Sequence, residues 1–286
     1  MTIDAKILNA LRAADDGAVS GADLAQQLGV SRAAVWARIE DLRSLGYEIE
    51  ASPHRGYRLL SAPDVLHADD LASRLGRTKV IGREIHVFEQ TTSTMDVVEK
   101  FARDGLKEGV VVFAESQTKG RGRLEMGTSL KAEIKWPNDL LIGGKKVVGI
   151  LTELSAELDQ VKYVILGIGV DVNLNASEFP SELRKIATSL KIELGKSVSR
   201  AELAVTILRE LDRDYARIMS GHFSEVGDEW EEHCSTIGRD VVIRTGEREI
   251  RGHAESLGEE GALLVRTDHG HLERITGGDV TMQKQT

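Results

Sequence analysis

The sequence predicts an α+β protein of several domains, and three observations predict it. Apolar residues recur at helical spacing through the start of the chain, then give way to two short alternating segments around a turn. The middle alternates apolar strand-like runs with amphipathic helices. The end carries short strand-like runs at regular spacing, with glycine turns between them.

Size and composition bound the possibilities. A chain of 286 residues suffices for two or three domains with a sizeable core. Hydrophobic content of 41% and charged content of 29% are those of a soluble globular protein, and aromatics at 4% leave aliphatic side chains to fill the core. The net charge of −9 excludes a global attraction to nucleic acid, so any DNA contact needs a local basic surface. The single cysteine, Cys234, excludes an internal disulfide and reads as a buried thiol. No apolar run is long enough to span a bilayer and no signal peptide is evident, so the expectation is a cytoplasmic protein without a membrane partner.

Residues 1–62 read as one unit. Ile3, Ile7, Leu8 and Leu11 form a helical stripe that ends at Asp15-Asp16-Gly17. Ser20 caps a second helix carrying Leu24 and Leu28, and Gly29 supplies a tight turn. Ser31 caps a third helix with Val35, Ile39 and Leu42 on its buried face. Two short strands then flank Ser52-Pro53-His54-Arg55. Three helices and a β-hairpin make a winged helix-turn-helix. Its second paired helix would enter the major groove with Ser31, Arg32 and Ala33 leading and Trp36, Arg38 and Arg43 behind, while Arg55 reaches the backbone as a wing. Such trihelical units also mediate protein contacts, and Asp23, Glu40 and Asp41 weaken the electrostatic case.

After a linker at 61–64, residues 63–234 alternate strands and helices. Strands are expected at 84–89, 109–114, 146–154 and 161–170, and helices at 67–75, 93–102, 200–219 and from 223 toward Cys234. Residues 235–286 then carry four short strands that suggest a small β-barrel.

The chemistry concentrates in the middle. Thr92-Ser93-Thr94 opens a helix, where hydroxyls either cap or bind a polar ligand. Gly120-Arg121-Gly122-Arg123 follows a strand; its glycines admit close approach and its arginines fix an anion. Lys135-Trp136-Pro137-Asn138-Asp139 breaks a strand with a residue that lacks a donor, then adds turn chemistry. Gly143-Gly144-Lys145-Lys146 turns into an apolar strand, and Gly167-Ile168-Gly169-Val170-Asp171-Val172-Asn173 is a strand end open to a ligand. No Walker A loop, metal-ligand spacing or Ser-His-Asp arrangement is evident.

In this order, these motifs resemble those of biotin–protein ligases, and the whole chain resembles the bifunctional bacterial type that also represses biotin synthesis. The resemblance implies a class II synthetase-like mixed sheet in the centre and an SH3-like barrel at the end. It implies formation of biotinyl-5′-adenylate from biotin and ATP with Mg2+, then transfer of biotin to a lysine of a biotin carboxyl carrier protein. Carried over by position, Ser93, Thr94, Met95 and Gln117 would contact biotin. Arg121, Gly122 and Arg123 would close over biotin and adenylate, with Lys146 beside the carboxylate and phosphate; Arg121 and Lys146 are the expected catalytic pair. Gly120, Arg123, Asn138, Asp139, Gly169, Asp171 and Asn173 would border ATP and the adenylate, and Asp139 is the one protein group placed to touch the metal. The resemblance also implies a homodimer on operator DNA when the adenylate is bound. Lipoate ligases are a weaker match, because the winged helix, the Gly-Arg run and the terminal barrel speak against them.

One departure stands out. Only residues 124–134 separate the two central motifs. Family members place a further Gly/Arg step, a Trp-Ser-Pro stretch, a strand and a long helix there. The alternative reading is therefore a catalytically impaired, biotin-responsive DNA-binding regulator. Met95 and Asp171 stand where asparagine is frequent or usual in the family.

Overall fold

A computed structural model describes residues 1–14, 17–117, 130–158 and 160–282. They form two compact units, Met1–Thr118 with Ser199–Asp212, and Lys119–Val198 with Arg213–Thr286. The division runs through residues 63–234, expected above as one domain, because the strands of that region form two separate sheets.

In the first unit, α1 (Ile3–Ala13), α2 (Gly21–Leu28) and α3 (Arg32–Ser44) precede the antiparallel hairpin β1 (Glu48–Ser52) and β2 (Gly56–Ser61). Ser20 and Ser31 cap as expected, their hydroxyls accepting from the Ala22 and Ala34 amides, and Gly29 is left-handed at φ +68°. Ile7, Leu8, Leu24, Val35 and Ile39 are fully buried in one core. Gly56 has φ +102°, and a Cβ there would meet the Val19 carbonyl at 2.1 Å, so the hairpin closes on the chain before α2 only with glycine.

Helix α4 (Ala68–Leu75) is buried on two sides. Leu71 and Leu75 pack with Ala201, Ala204, Val205 and Leu208 of α7 (Arg200–Met219). Ile85 and Val87 of β3 (Glu84–Thr91), with Val111 and Phe113 of β4 (Val110–Gln117), pack against the same cluster. On its other side Asp70, 1% exposed, pairs with Arg12 of α1 and, at 3.0 Å, with Arg74. Strands β3 and β4 are parallel, and α5 (Thr94–Arg103) connects them. Glu115 of β4 accepts from the Leu66 amide at 2.7 Å and from Arg200 at 2.9 Å, and Arg200 also holds Asp64. The linker is thereby fastened to β4.

In the second unit, β5 (Ala132–Lys135), β6 (Asp139–Ile142), β7 (Lys145–Glu157) and β8 (Gln160–Val170) form an antiparallel sheet in that order. Residues 233–235 extend it beside β5, with Ile134 donating to the His233 carbonyl at 2.9 Å and Ser235 to that of Ile134 at 2.8 Å. Helices α6 (Leu190–Leu194) and α8 (Phe223–Glu232) follow, α6 being one that residue pattern alone does not announce. The barrel comprises β9 (Asp240–Thr245), β10 (Arg248–Leu257), β11 (Leu263–Thr267), β12 (Leu272–Ile275) and β13 (Asp279–Met282), ordered β12-β11-β10-β9-β13. β13 is the strand missing from the sequence-based expectation; it pairs with β9 and contributes Val280 to the core. One face of the β7–β8 ladder stays open, with Leu154 62% and its cross-strand partner Val164 57% exposed. Among the described residues no helix is long and apolar enough to cross a membrane.

Candidate functional site

In the first unit the expected biotin-side residues come together at the start of α5. Ser93 is the N-cap, buried, its hydroxyl accepting from the Met95 amide at 3.2 Å. Gln117, at the end of β4, turns its Oε1 to the same helix end and accepts from the Thr94 amide at 2.9 Å and the Thr94 hydroxyl at 3.3 Å. That leaves the carboxamide NH2 of Gln117 as the group with donor capacity toward a ligand. The Met95 side chain is buried and offers a ligand only a thioether and apolar surface. The Gly120-Arg121-Gly122-Arg123 run lies outside the described residues.

In the second unit the Trp-Pro-Asn turn joins β5 to β6, with Lys135 opposite Asp139 in the ladder and the Asn138 amide donating to the Lys135 carbonyl at 3.1 Å. The turn is anchored from below. Trp136 is 3% exposed, its amide donates to the Thr236 hydroxyl at 3.0 Å, and its indole N–H donates to the Gly261 carbonyl at 3.1 Å. Its ring belongs to the barrel core with Val241, Ile243 and Val265. Nothing in a local motif pairs Trp136 with residues a hundred positions later.

Above that anchor the polar groups converge. Asp139 Oδ1 and Lys146 Nζ are 3.0 Å apart. Asn138 Oδ1 is buried and has no hydrogen-bond partner among the described residues. A buried acceptor without a donor costs on the order of 1–3 kcal/mol, so it points to a ligand group or a bound ion. Asp139 stands opposite Gly149, and Gly149 opposite Gly169, so a row across three strands presents backbone without side chains on its glycines. Burial pushes the Asp171 carboxyl up to about 6, against the opposing pull of Lys146. A carboxyl largely neutral just below that pH is less repulsive to a phosphate than an ordinary aspartate.

Asn173 is arranged differently from its neighbours. Its carboxamide donates to the Val198 carbonyl and accepts from the Val198 amide, both at 2.9 Å, so it fastens a loop instead of facing a ligand. Among the described residues no three His, Cys, Asp or Glu side chains form a metal-holding group.

The DNA-side residues separate in the same way. Arg32, Ala33 and Trp36 are exposed on α3, and Arg55 is exposed in the hairpin turn. Ser31 is occupied as a cap. Arg43, expected on phosphate, is turned inward: its Nε donates to the Ile49 carbonyl at 2.9 Å and it pairs with Glu40 at 2.6 Å. Arg38 is drawn toward Asp41 at 3.4 Å and Asp4 at 3.7 Å. Intramolecular carboxylates, invisible as partners in a helical stripe, account for both.

Comparison with known proteins places these features. Residues 4–58 match the HTH domain family, 125–171 the biotin/lipoate A/B protein ligase family, and 236–282 the biotin protein ligase C-terminal domain. The bifunctional ligase/repressor BirA of Bacillus subtilis is 34% identical over 92% of this chain and 94% of that protein. That of Escherichia coli K12 is 26% identical over 92% of each. A biotin protein ligase from Aquifex aeolicus, solved in complex with biotin and ATP, superposes with a TM-score of 0.57 at 26% identity, over 71% of this chain and 100% of that one. The Bacillus alignment runs over 306 positions, more than the 286 residues of this chain, so that relative carries residues with no counterpart here. With the terminal reading domain, the ligase motifs and the closing barrel all matched in order, the chain belongs to the bifunctional biotin ligase/repressor family.

Proposed function

We propose that this protein activates biotin with ATP, forming biotinyl-5′-adenylate and pyrophosphate, transfers the biotinyl group to a lysine of a biotin carboxyl carrier protein, and represses transcription when the adenylate is bound. The observation that carries the reading is the cluster at the β5–β6 turn. There, a buried and unpartnered Asn138 Oδ1 adjoins the Asp139–Lys146 pair, above a glycine row.

The chemistry requires charge neutralisation and positioning more than covalent help from the protein. In the first step a biotin carboxylate oxygen forms a bond to the α-phosphorus of ATP as the bond to pyrophosphate breaks. Lys146 is the cation for the carboxylate and α-phosphate, with Arg121 and Arg123 of the Gly-Arg motif as further cations. Ser93, Thr94 and Gln117 orient the polar head of biotin. Gly120, Gly122 and Gly169 allow close backbone approach. In the second step the acceptor lysine's amine attacks the acyl carbon and AMP departs. Asp139 and Asn138 supply hard oxygen donors of the kind Mg2+ takes when most of its shell is phosphate and water, and the unpartnered Asn138 oxygen fits that use. Mg2+ would neutralise phosphate charge there. Arg32, Ala33, Trp36 and Arg55 face operator DNA, and a homodimer would present two such helices to a two-fold site. A cytoplasmic location follows from those partners.

The test adds biotin, Mg-ATP and a carboxyl carrier domain to the full chain. The carrier should gain the mass of one biotinyl group with release of pyrophosphate, and no gain at stoichiometric enzyme defeats the ligase reading. A second reading, a regulator that binds biotin without turnover, is favoured by the short 124–134 interval and by the longer alignment of the Bacillus relative. Biotin binding without pyrophosphate release, together with retained operator binding, would select it.

A further inference from the structure

The outward face of α3 has an unusual chemistry for a helix that reads DNA. Val35, Ile39 and Leu42 point into the core, so the opposite face of the first turns is Arg32, Ala33, Trp36 and Ala37, all exposed. These residues lie three and four apart and form one contiguous patch. Trp36 alone is 57% exposed, and among the described residues no ring contact or hydrogen bond engages its side chain. Beyond Arg32 the patch offers a single polar hydrogen, the indole N–H. The hydrogen-bonding side chains that usually read base edges, such as Asn, Gln or a second Arg, are missing from these positions.

Bulk charge does not compensate. Residues 1–62 hold seven Lys or Arg against eight Asp or Glu, and Arg38, Arg43 and Arg58 are paired with carboxylates. A domain of this balance gains little from counterion release, which otherwise dominates affinity for DNA. Discrimination must then come from what an apolar patch can distinguish in the major groove. Among the four bases, the edges there present donors, acceptors and one apolar group, the C5-methyl of thymine.

Building on the operator-binding reading above, we infer that Trp36, flanked by Ala33 and Ala37, is a specificity-determining residue that recognises thymine methyl groups in each operator half-site, with Arg32 supplying a single guanine or phosphate contact. The two alanines let the helix backbone approach the groove floor, and the indole supplies the area that covers the methyls. A protein partner for the patch is the competing occupant. The exposed patch sits on the first turns of the second helix of a matched helix-turn-helix, the part that meets base edges, and this favours DNA.

The experiment uses the full chain with biotinyl-5′-adenylate added directly, so that it does not depend on turnover. A randomised duplex library is selected for binding, and each thymine of the selected site is then replaced by deoxyuridine, which keeps pairing and removes only the methyl. Wild-type protein should lose affinity roughly fourfold for each contacted methyl, the value of one buried methyl group. Trp36→Ala should bind more weakly and become insensitive to the replacement, while Trp36→Leu, which retains apolar area, should keep part of the sensitivity. Equal binding of thymine and deoxyuridine sites by the wild type overturns the inference, as does full sensitivity in Trp36→Ala. A library that enriches no sequence overturns operator binding itself and the methyl reading with it, and the absence of any selected site tells that outcome from the others.

Discussion

The winged helix and the β7–β8 ladder treat the same side chains in opposite ways. In the first, each stripe of Leu, Ile and Val closes on another stripe, and Ile7, Leu8, Leu24, Val35 and Ile39 lose all solvent contact. In the second, Leu154, Val164 and Leu166 alternate as a buried strand should, yet face outward. Local pattern is intact in both. Among the described residues, the difference is whether a covering layer packs on the stripe. The Asn138–Asp139–Lys146 cluster survives beside the uncovered face because its support comes from elsewhere: Trp136 seats the turn on the barrel. Ligand chemistry held by a turn and a neighbouring domain depends less on the completeness of the sheet.

The largest effect is expected at the Trp136 anchor. Trp136→Ala should cost about 3–5 kcal/mol, the range for a buried aromatic truncated to alanine, measured by denaturant unfolding. An unchanged midpoint would mean that the barrel does not hold the turn. Next comes the closed region. Asp70→Ala strands Arg12 and Arg74, both mostly buried beside it, and should cost about 3 kcal/mol. A loss below about 0.5 kcal/mol, ordinary for a surface site, would show that the winged helix does not lean on α4.

The third test sharpens the site itself. Asp171 has its carboxyl raised from 3.8 to about 6 by burial, so its contribution to stability is fully present below pH 3.8 and is lost as pH rises through 6. Relative to Asp171→Asn, the wild type should gain in melting temperature on going from pH 7.5 to pH 5, and its affinity for pyrophosphate should rise over the same interval. Parallel melting curves for the two proteins at all pH values would refute the assignment. The smallest effect belongs to the open face. Leu154→Lys should change stability by no more than about 0.5 kcal/mol while lowering the binding of a hydrophobic dye. A large destabilisation would mean that Leu154 is covered after all.

How much of this was legible in the residues follows the same divide. Helix caps at Ser20 and Ser31, the left-handed Gly29 and the strands near 84–89 and 109–114 all rest on local signals, and all are present. The gathering of Thr94 with Gln117 was implied only by family resemblance, because the contact crosses from one strand end to a helix start. What escaped was non-local. Arg43 reads as a phosphate contact until Ile49 and Glu40 are seen to claim it, and Asn173 reads as a ligand residue until Val198 does. β13 escaped because Val280 is its one core residue, and only pairing with β9 defines it. The buried Asp70 and the anchoring of Trp136 each require a partner from another element, which no spacing rule supplies.

Glu115 and Gln117 are two residues apart on β4 and so rise from the same side of the strand. One grips the Leu66 amide and Arg200 at the joint leading to the DNA-reading helices; the other grips the mouth of α5. Two grips therefore rest on a single length of backbone, one on the linker that follows the winged helix and one on the first turn of α5.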